Sequence, residues 1–462
     1  MHLINQKIWG ALIVLSLAGG TGTLGQNLLL RDRQQVIMLG DSLTEGEDPD
    51  GYVNTTRLIL AQVYPEMTVF TANAGKGGNT SADLEDRLQR DVLQFKPDWV
   101  TISIGVNDIN QRFGDHPAGD GTNGVRLPAF KEKVSGLVQK IQANGGKVLL
   151  CSGTVIKEDL SSPENQQMEL YSAALREVAA EKQCPLADTR QAFRDALAPL
   201  QKPGMAVSGV LTADGVHLLP RGSWLMAKTL VAAWGVPPER IDRARPAVEE
   251  QIHKQTEELN RRLARYRKSN YEAGLPCEGQ QRVVMFGSSA VEYWDFTRDF
   301  PHAQLLNRGI GGETTRQMRL RFVQDVVALK PAAAILFLGS CNDFWPENRM
   351  SVVDTKSYLA RIARLAKGSG IHLAIASLIP ASDHLPKKDF IRSHPLAVVQ
   401  ELNRWIKALC QENGYVFIEF YPAVADQDGK LRRDFTEDGL HCNAAGYAVL
   451  KPLVEKALTE LR

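Results

Sequence analysis

The sequence predicts an α/β protein of two successive domains, each a parallel sheet covered by helices on both faces, and three observations predict it. Short apolar, β-rich runs alternate with amphipathic helical stretches, which is the pattern of a buried parallel sheet. Four marks recur in the same order in the two halves of the chain. They are VIMLGDSLT at 36–44 and VVMFGSSAV at 283–291, NAGKGGNT at 73–80 and NRGIGGET at 307–314, Lys-Pro pairs ending eight residues before Gly105 and Gly339, and Asp-Gly-x-His at 214–217 and 438–441, each with a glycine five residues on. The third observation is length: 462 residues exceed what one ordinary core organises.

Composition narrows the function classes. With 54 Lys plus Arg against 53 Asp plus Glu the net charge is +1. Such a balance excludes the electrostatic footprint of a nucleic-acid binder. Residues 1–25 depart from it: Lys7 precedes the apolar run 8–18, and small residues and glycines fill 19–25. This predicts a secretory signal peptide, hence export to a bacterial periplasm or the extracellular space, and an apolar run too short for a firm membrane span. An uncleaved anchor is the alternative, and no cysteine follows the run to accept a lipid. The six cysteines, Cys151, Cys184, Cys277, Cys341, Cys410 and Cys442, lack paired metal-like spacing. No metal and no cofactor are predicted; disulfides are permitted, and buried free thiols are the plain expectation.

The first domain is expected over 26–240. A strand at 36–40 runs into a loop at 41–51 and a helix at 52–63 that stops near Pro65. A strand at 68–72 feeds the glycine-rich turn 73–78, and Thr80 with Asp83 three residues on caps a helix continuing to 93. A strand at 99–104 ends in Gly105-Val106-Asn107-Asp108, and 108–127 reads as a long polar loop over a site. Helix 128–144, strand 147–151, helix 164–181, the segment 187–197 and a turn-rich stretch lead to Asp214-Gly215-Val216-His217 and the closing helix 223–234.

Residues 241–281 read as a charged helical linker, with apolar Val248, Ile252, Leu259, Leu263 and Tyr266 at near-helical spacing; a dimerisation coiled coil is the other reading of that stripe. The second domain, 282–462, repeats the plan. Strands are expected at 283–286, 333–338, 371–377 and 416–420, a strand with its glycine-rich turn at 305–312, and helices at 314–328, 354–367, 396–412 and 444–459.

A serine hydroxyl becomes a nucleophile when a histidine takes its proton and a carboxylate fixes that histidine's tautomer. His116 and His217 are the histidines of 26–240, and His217 has Asp214 three residues before it on one short loop. Ser42 ends the first strand. Gly78 can give a backbone N–H and Asn107 a side-chain amide to a developing oxyanion. All lie at or just beyond C-terminal strand ends, where α/β sheets place ligands. Ser42 as a mere strand-capping serine is the bland alternative. A phosphate loop is excluded by the missing G-K-[S/T], and an α/β-hydrolase elbow by the missing G-x-S-x-G.

On Gly40-Asp41-Ser42-Leu43, Asn73 to Gly78, Gly105-x-Asn107-Asp108 and Asp214-x-x-His217 the sequence resembles the SGNH hydrolases, the GDSL esterase/lipase family. The resemblance implies tandem three-layer α/β/α, flavodoxin-like domains. It implies Ser42 as nucleophile, His217 as base, Asp214 as its orienter, and an oxyanion hole of the Ser42 N–H, the Gly78 N–H and the Asn107 amide. In the second domain it implies Ser289, Gly312, Asn342, Asp438 and His441 in the same roles. There Ser288 stands in place of the aspartate, and one extra residue precedes the asparagine. Cys341 and Cys442 flank that site, but Ser289 already fills the nucleophile's block.

Trp294, Phe344 and Trp345 follow the second site's serine and asparagine closely and are candidate substrate-binding aromatics, with core packing the alternative for a lone tryptophan. A long apolar lid is missing. The expected substrate is therefore an acetyl ester of a glycan or small molecule, with a lysophospholipase or thioesterase, or a glycan-binding protein with silent sites, as alternatives. No nucleic-acid partner and no stable membrane insertion are expected, and the sequence leaves the oligomeric state open.

Overall fold

The computed structural model describes residues 28–46, 49–114, 121–202, 207–276, 281–301, 303–385 and 390–461. The expected signal segment, His116 and Cys277 lie outside the described residues.

The first sheet consists of β1 (Gln35–Gly40), β2 (Phe70–Gly75), β3 (Trp99–Ser103), β4 (Lys147–Cys151) and β5 (Leu186–Ala187), in the order β2-β1-β3-β4-β5. All its pairs are parallel. Between the strands come α1 (Ser42–Glu45), α2 (Tyr52–Val63), α3 (Ser81–Asp91), α4 (Val106–Gly114), α5 (Leu127–Ala143), α6 (Pro163–Glu181) and α7 (Thr189–Leu197), and α8 (Pro220–Ala233) follows. Alternate residues of β1 serve the two faces, as a period of two requires. Val36 and Met38 pack into a core with α2 and α8. Ile37 and Leu39 pack into another with α3, α5 and α6.

The second domain repeats the order β10-β9-β8-β6-β7 with β6 (Val283–Gly287), β7 (Leu305–Gly309), β8 (Ala333–Phe337), β9 (His372–Ala376) and β10 (Val416–Ile418). Before β6 come α9 (Pro238–Arg265) and α10 (Arg267–Ala273). Short α11 (Ser289–Glu292) and α12 (Phe296–Asp299) follow β6, then α13 (Thr315–Asp325), α14 (Val352–Gly368), α15 (Phe390–Ser393), α16 (Leu396–Asn413), α17 (Tyr421–Val424) and α18 (Ala444–Glu460). Both domains are α/β units around a central parallel sheet.

Local chemistry explains the helix starts. Proline opens α5, α6, α8 and α9, where a missing N–H costs nothing. Capping boxes at Thr80/Asp83, Thr314/Gln317 and Ser351/Asp354 open α3, α13 and α14.

Two expectations change. The stretch read as a loop from 108 begins as helix α4, because Val106 and Ile109 recur three apart and turn a buried face to the core while polar side chains dominate the composition. The stretch read as a helical linker from 241 is a helix, and it starts at Pro238 and packs on the first domain. Ile241, Ala244 and Val248 of α9 are buried in the first domain's core, and the side-chain Oε1 of Gln255 accepts from Asn54 Nδ2 at 2.7 Å.

The domains also meet directly. Helix α14 of the second lies on β2, an edge strand of the first sheet. Ser357 Oγ donates to the Asn73 carbonyl at 2.7 Å, Ser351 Oγ to Gln35 Oε1 at 2.6 Å, and Arg349 Nη2 to the Pro65 carbonyl at 3.2 Å. An edge strand exposes unpaired backbone groups that must be covered or blunted, and here a helix covers one.

Candidate active site

Register levels the strand ends. Gly40 pairs with Gly75 and Ser103, so the segments leaving β1, β2 and β3 emerge side by side. Gly287 likewise pairs with Gly309 and Phe337. Order reverses between β1 and β3, and at such a switch point the chain segments diverge and leave a crevice.

Ser42 heads α1. Its Oγ lies 3.0 Å from His217 Nε2, and His217 Nδ1 lies 2.7 Å from Asp214 Oδ2. The other Asp214 oxygen accepts the Val216 and His217 N–H groups at 3.0 and 2.8 Å, so one short loop fixes the carboxylate and the ring together. Burial pushes the Asp214 carboxyl up, but the His217 ring and these N–H donors outweigh it and hold it down at about 2. The loop after β4 anchors this turn through the Lys157 N–H on the Gly215 carbonyl at 2.7 Å.

The second domain repeats the chain of contacts. Ser289 Oγ is 2.9 Å from His441 Nε2, and His441 Nδ1 is 2.6 Å from Asp438 Oδ2. Burial again raises the carboxyl while hydrogen bonds from His441 and Leu440 hold it at about 2. The Ser382 N–H grips the Gly439 carbonyl at 2.8 Å. His217 and Asp214 have side chains 54 % and 57 % exposed, against 28 % and 38 % for His441 and Asp438, so the second site is the more enclosed.

Gly78 and Gly312 both have φ +74 with open space where a Cβ would stand, so backbone conformation and not crowding asks for glycine. The Asn107 amide donates to the Asn79 carbonyl at 3.0 Å, and that of Asn342 to the Glu313 carbonyl at 2.9 Å. The extra residue before Asn342 is absorbed at Cys341, whose φ is +78. Both asparagines thus reach the same place on the glycine turn. Burial raises the Cys341 thiol well above its ordinary range and pushes Cys442 up to about 12, so neither is a thiolate near neutrality.

Asp108 and Asp343 bind the asparagine segments to the starts of α3 and α13, the helices that follow the glycine turns. Asp108 accepts the Ser81 N–H at 2.9 Å and its hydroxyl at 2.6 Å. Asp343 accepts the Thr315 N–H at 2.7 Å and the Thr355 hydroxyl at 2.7 Å. Burial pushes Asp108 up to about 6 and raises Asp343 as well.

Sequence reasoning missed two supports, each legible as a repeat. Glu45 and Glu292, three residues after the serines, accept the Gly77 and Gly311 N–H groups at 2.6 and 2.7 Å. Arg87 and Arg321, fourteen residues after Asn73 and Asn307, donate to the Gly40 and Gly287 carbonyls at 2.8 and 3.1 Å and tie β1 to β2 and β6 to β7.

The aromatics divide. Trp294 is 2 % exposed. It packs among Phe296, Phe300, Phe420 and Tyr447 with its indole N–H on Asp299 at 2.9 Å, so it is a core residue and the substrate-binding expectation is corrected. Its neighbour Tyr293, 60 % exposed, stands with its ring 5.3 Å from that of His441. Phe344 and Trp345 are half-buried around the His394 ring, at 6.0 and 4.9 Å.

Two Ser–His–Asp hydrogen-bonded chains stand at the C-terminal edge of parallel sheets, the arrangement of a serine hydrolase. The chain belongs to the GDSL-like Lipase/Acylhydrolase family, whose profile matches residues 38–225 and 289–449. It is 28% identical over 214 residues to an acetylxylan esterase of Geobacillus stearothermophilus, covering 44% of this chain and 94% of that one. It is 27% identical to the esterase TesA of Pseudomonas aeruginosa, over 40% of this chain and 79% of the relative. Among solved structures, a GDSL-like lipase from Bacteroides thetaiotaomicron is 30% identical with a TM-score of 0.40, covering 43% of this chain and 98% of that chain.

Proposed function

We propose that this chain is an exported carbohydrate O-acetylesterase with two active sites, one on each catalytic unit (26–240 and 282–462). Ser42 Oγ attacks the ester carbonyl as His217 Nε2 takes its proton, and Asp214 holds the ring in the tautomer that can accept. The Ser42 and Gly78 N–H groups and the Asn107 amide receive the oxyanion. As the C–O bond to the sugar breaks, the imidazolium gives its proton to the departing sugar oxygen, leaving a sugar hydroxyl and an acetyl-serine, and water activated by His217 then releases acetate. Ser289, His441, Asp438, Gly312 and Asn342 do the same in the second unit.

The observation that carries the reading is the pair of complete serine–histidine–aspartate contacts. The acetylxylan esterase relative supports a glycan ester as substrate, and Tyr293 beside His441 offers an exposed ring face on which a sugar can stack. Export rests on the 1–25 segment; no helix among the described residues is long and apolar enough to cross a membrane.

The test compares aryl acetate with aryl octanoate on the S42A, S289A and S42A/S289A variants. Each single variant is expected to keep part of the acetate turnover and the double variant none above background. Undiminished turnover in the double variant would sink the enzyme reading, and equal rates on octanoate would favour a long-chain thioesterase or lysophospholipase.

A further inference from the structure

Each site's glycine turn is held by a glutamate, and each glutamate is itself held by an arginine from outside its own domain. In the first domain Glu45 Oε2 accepts the Gly77 N–H. Arg361, on α14 of the second domain, donates from Nη2 to the Glu45 carbonyl at 2.9 Å and stands 3.8 Å from Glu45 Oε1. In the second domain Glu292 Oε2 accepts the Gly311 N–H. Arg265, at the end of α9, donates to Glu292 Oε1 at 2.8 Å, and the next residue's phenol, Tyr266, donates to the Gly309 carbonyl.

The two glutamates occupy matching places in the sequence repeat, but the two arginines do not: one comes from a helix of the partner domain and the other from the connecting helix. The same requirement is thus met by two unrelated elements. Arg361 has a side chain only 2 % exposed. A guanidinium withdrawn from water is costly unless its partners are well placed, and its interaction with a neighbouring carboxylate is less screened than at a surface. We infer that Arg361 and Arg265 are positioning residues, and that the Ser42 site depends on the second domain through the relay Arg361–Glu45–Gly77.

The consequence is directional. The glycine N–H that follows Gly77 is the proposed oxyanion donor of the first site, so a loosened Glu45 displaces a group that binds the transition state more strongly than the ground state. The Ser289 site takes its arginine from the connecting helix α9 and not from a helix of the other catalytic unit. The assignment rests on the proposed serine mechanism for its kinetic reading, but not for its structural one.

The test uses the full chain. R361A and R361K are built in the S289A background, where only the Ser42 site can turn over, and again in the S42A background. R349A, which removes a contact between the domains at Pro65 and does not touch Glu45, controls for a loosened interface. In S289A, R361A is expected to lower kcat on aryl acetate by about tenfold to a hundredfold with KM within about twofold, R361K to keep part of the rate, and R349A to change little. In S42A, R361A is expected to leave the rate within about twofold, whereas R265A lowers it as R361A does in the other background.

Amide hydrogen exchange on the full chain reads the same relay without any turnover. R361A is expected to speed exchange of 73–80 and spare 307–314, and R265A the reverse. Unchanged exchange of 73–80 in R361A, or equal acceleration in both turns, would overturn the inference, as would equal kcat for S289A and S289A/R361A. If S289A itself shows no turnover, the esterase reading of the first site fails, and the exchange result decides the relay.

Discussion

Asp41 and Ser288 fill the same place before the two serines and face different costs. Asp41 is 1 % exposed; its Oδ1 accepts the Leu43 N–H at 3.0 Å, and its Oδ2 has no hydrogen-bond partner among the described residues. Burial accordingly pushes its carboxyl up to about 7. Ser288 instead donates its hydroxyl to the Leu338 carbonyl at 2.8 Å and carries no charge to desolvate. From the unfolded carboxyl value near ~4 up to about 7 the native chain keeps a proton that the unfolded chain has lost, so stability falls as pH rises through that window. Asp41→Asn removes this dependence. It is expected to raise Tm relative to the natural chain more at pH 8.5 than at pH 5.5, by an amount corresponding to about 1–3 kcal/mol; the same difference at both pH values would contradict the assignment. Asp214 is the opposite case, ionised down to about 2. In the S289A background Asp214→Asn is expected to cut kcat by about 10²- to 10⁴-fold with little change in Tm, read from aryl acetate kinetics and a thermal melt.

At the scale of elements, the site is a set of strand ends brought level. Asn73 donates to the Thr44 carbonyl at 2.6 Å and accepts the Gly75 N–H at 2.9 Å, and Asn307 does the same work on Val291 and Gly309. This pulls α1 so close to β2 that a Cβ on Gly75 would stand 2.2 Å from the Glu45 nitrogen, with the Gly309 position equally tight against Glu292. Neither contact involves a side chain that can turn aside. Gly75→Ala is expected to cost at least about 1–3 kcal/mol in chemical denaturation and to reduce turnover at the Ser42 site. A variant as stable as the natural chain would show that α1 has freedom the packing denies it.

For the whole molecule, duplication did not yield two independent beads. Helix α9 gives its first half to one core and its last turn to the other domain's serine loop, and α14 covers the edge of the first sheet. Ser357→Asp would set a carboxylate against the Asn73 carbonyl, two acceptors with no proton between them. The expected outcome is a larger radius of gyration in small-angle scattering. An unchanged radius would show that α14 is held on β2 by its other contacts.

Much of this was legible in the residues. Alternating apolar runs with prolines and capping boxes marked the strands and helices, because these patterns are local and each acts within a few residues. The repeat marked which serine, histidine, aspartate, glycine and asparagine belong together, since strand ends in a parallel sheet must lie on one edge. What the sequence left open depends on neighbours far along the chain. Burial decided that Trp294 is core and Tyr293 faces the site, a difference of one position on a turning backbone. Helix α4 was hidden because its polar side chains outnumber the apolar face that holds it. Only the packing of one domain against the other put Arg361 on Glu45, for a guanidinium finds its carboxylate by distance in space, and 316 residues of sequence separate these two.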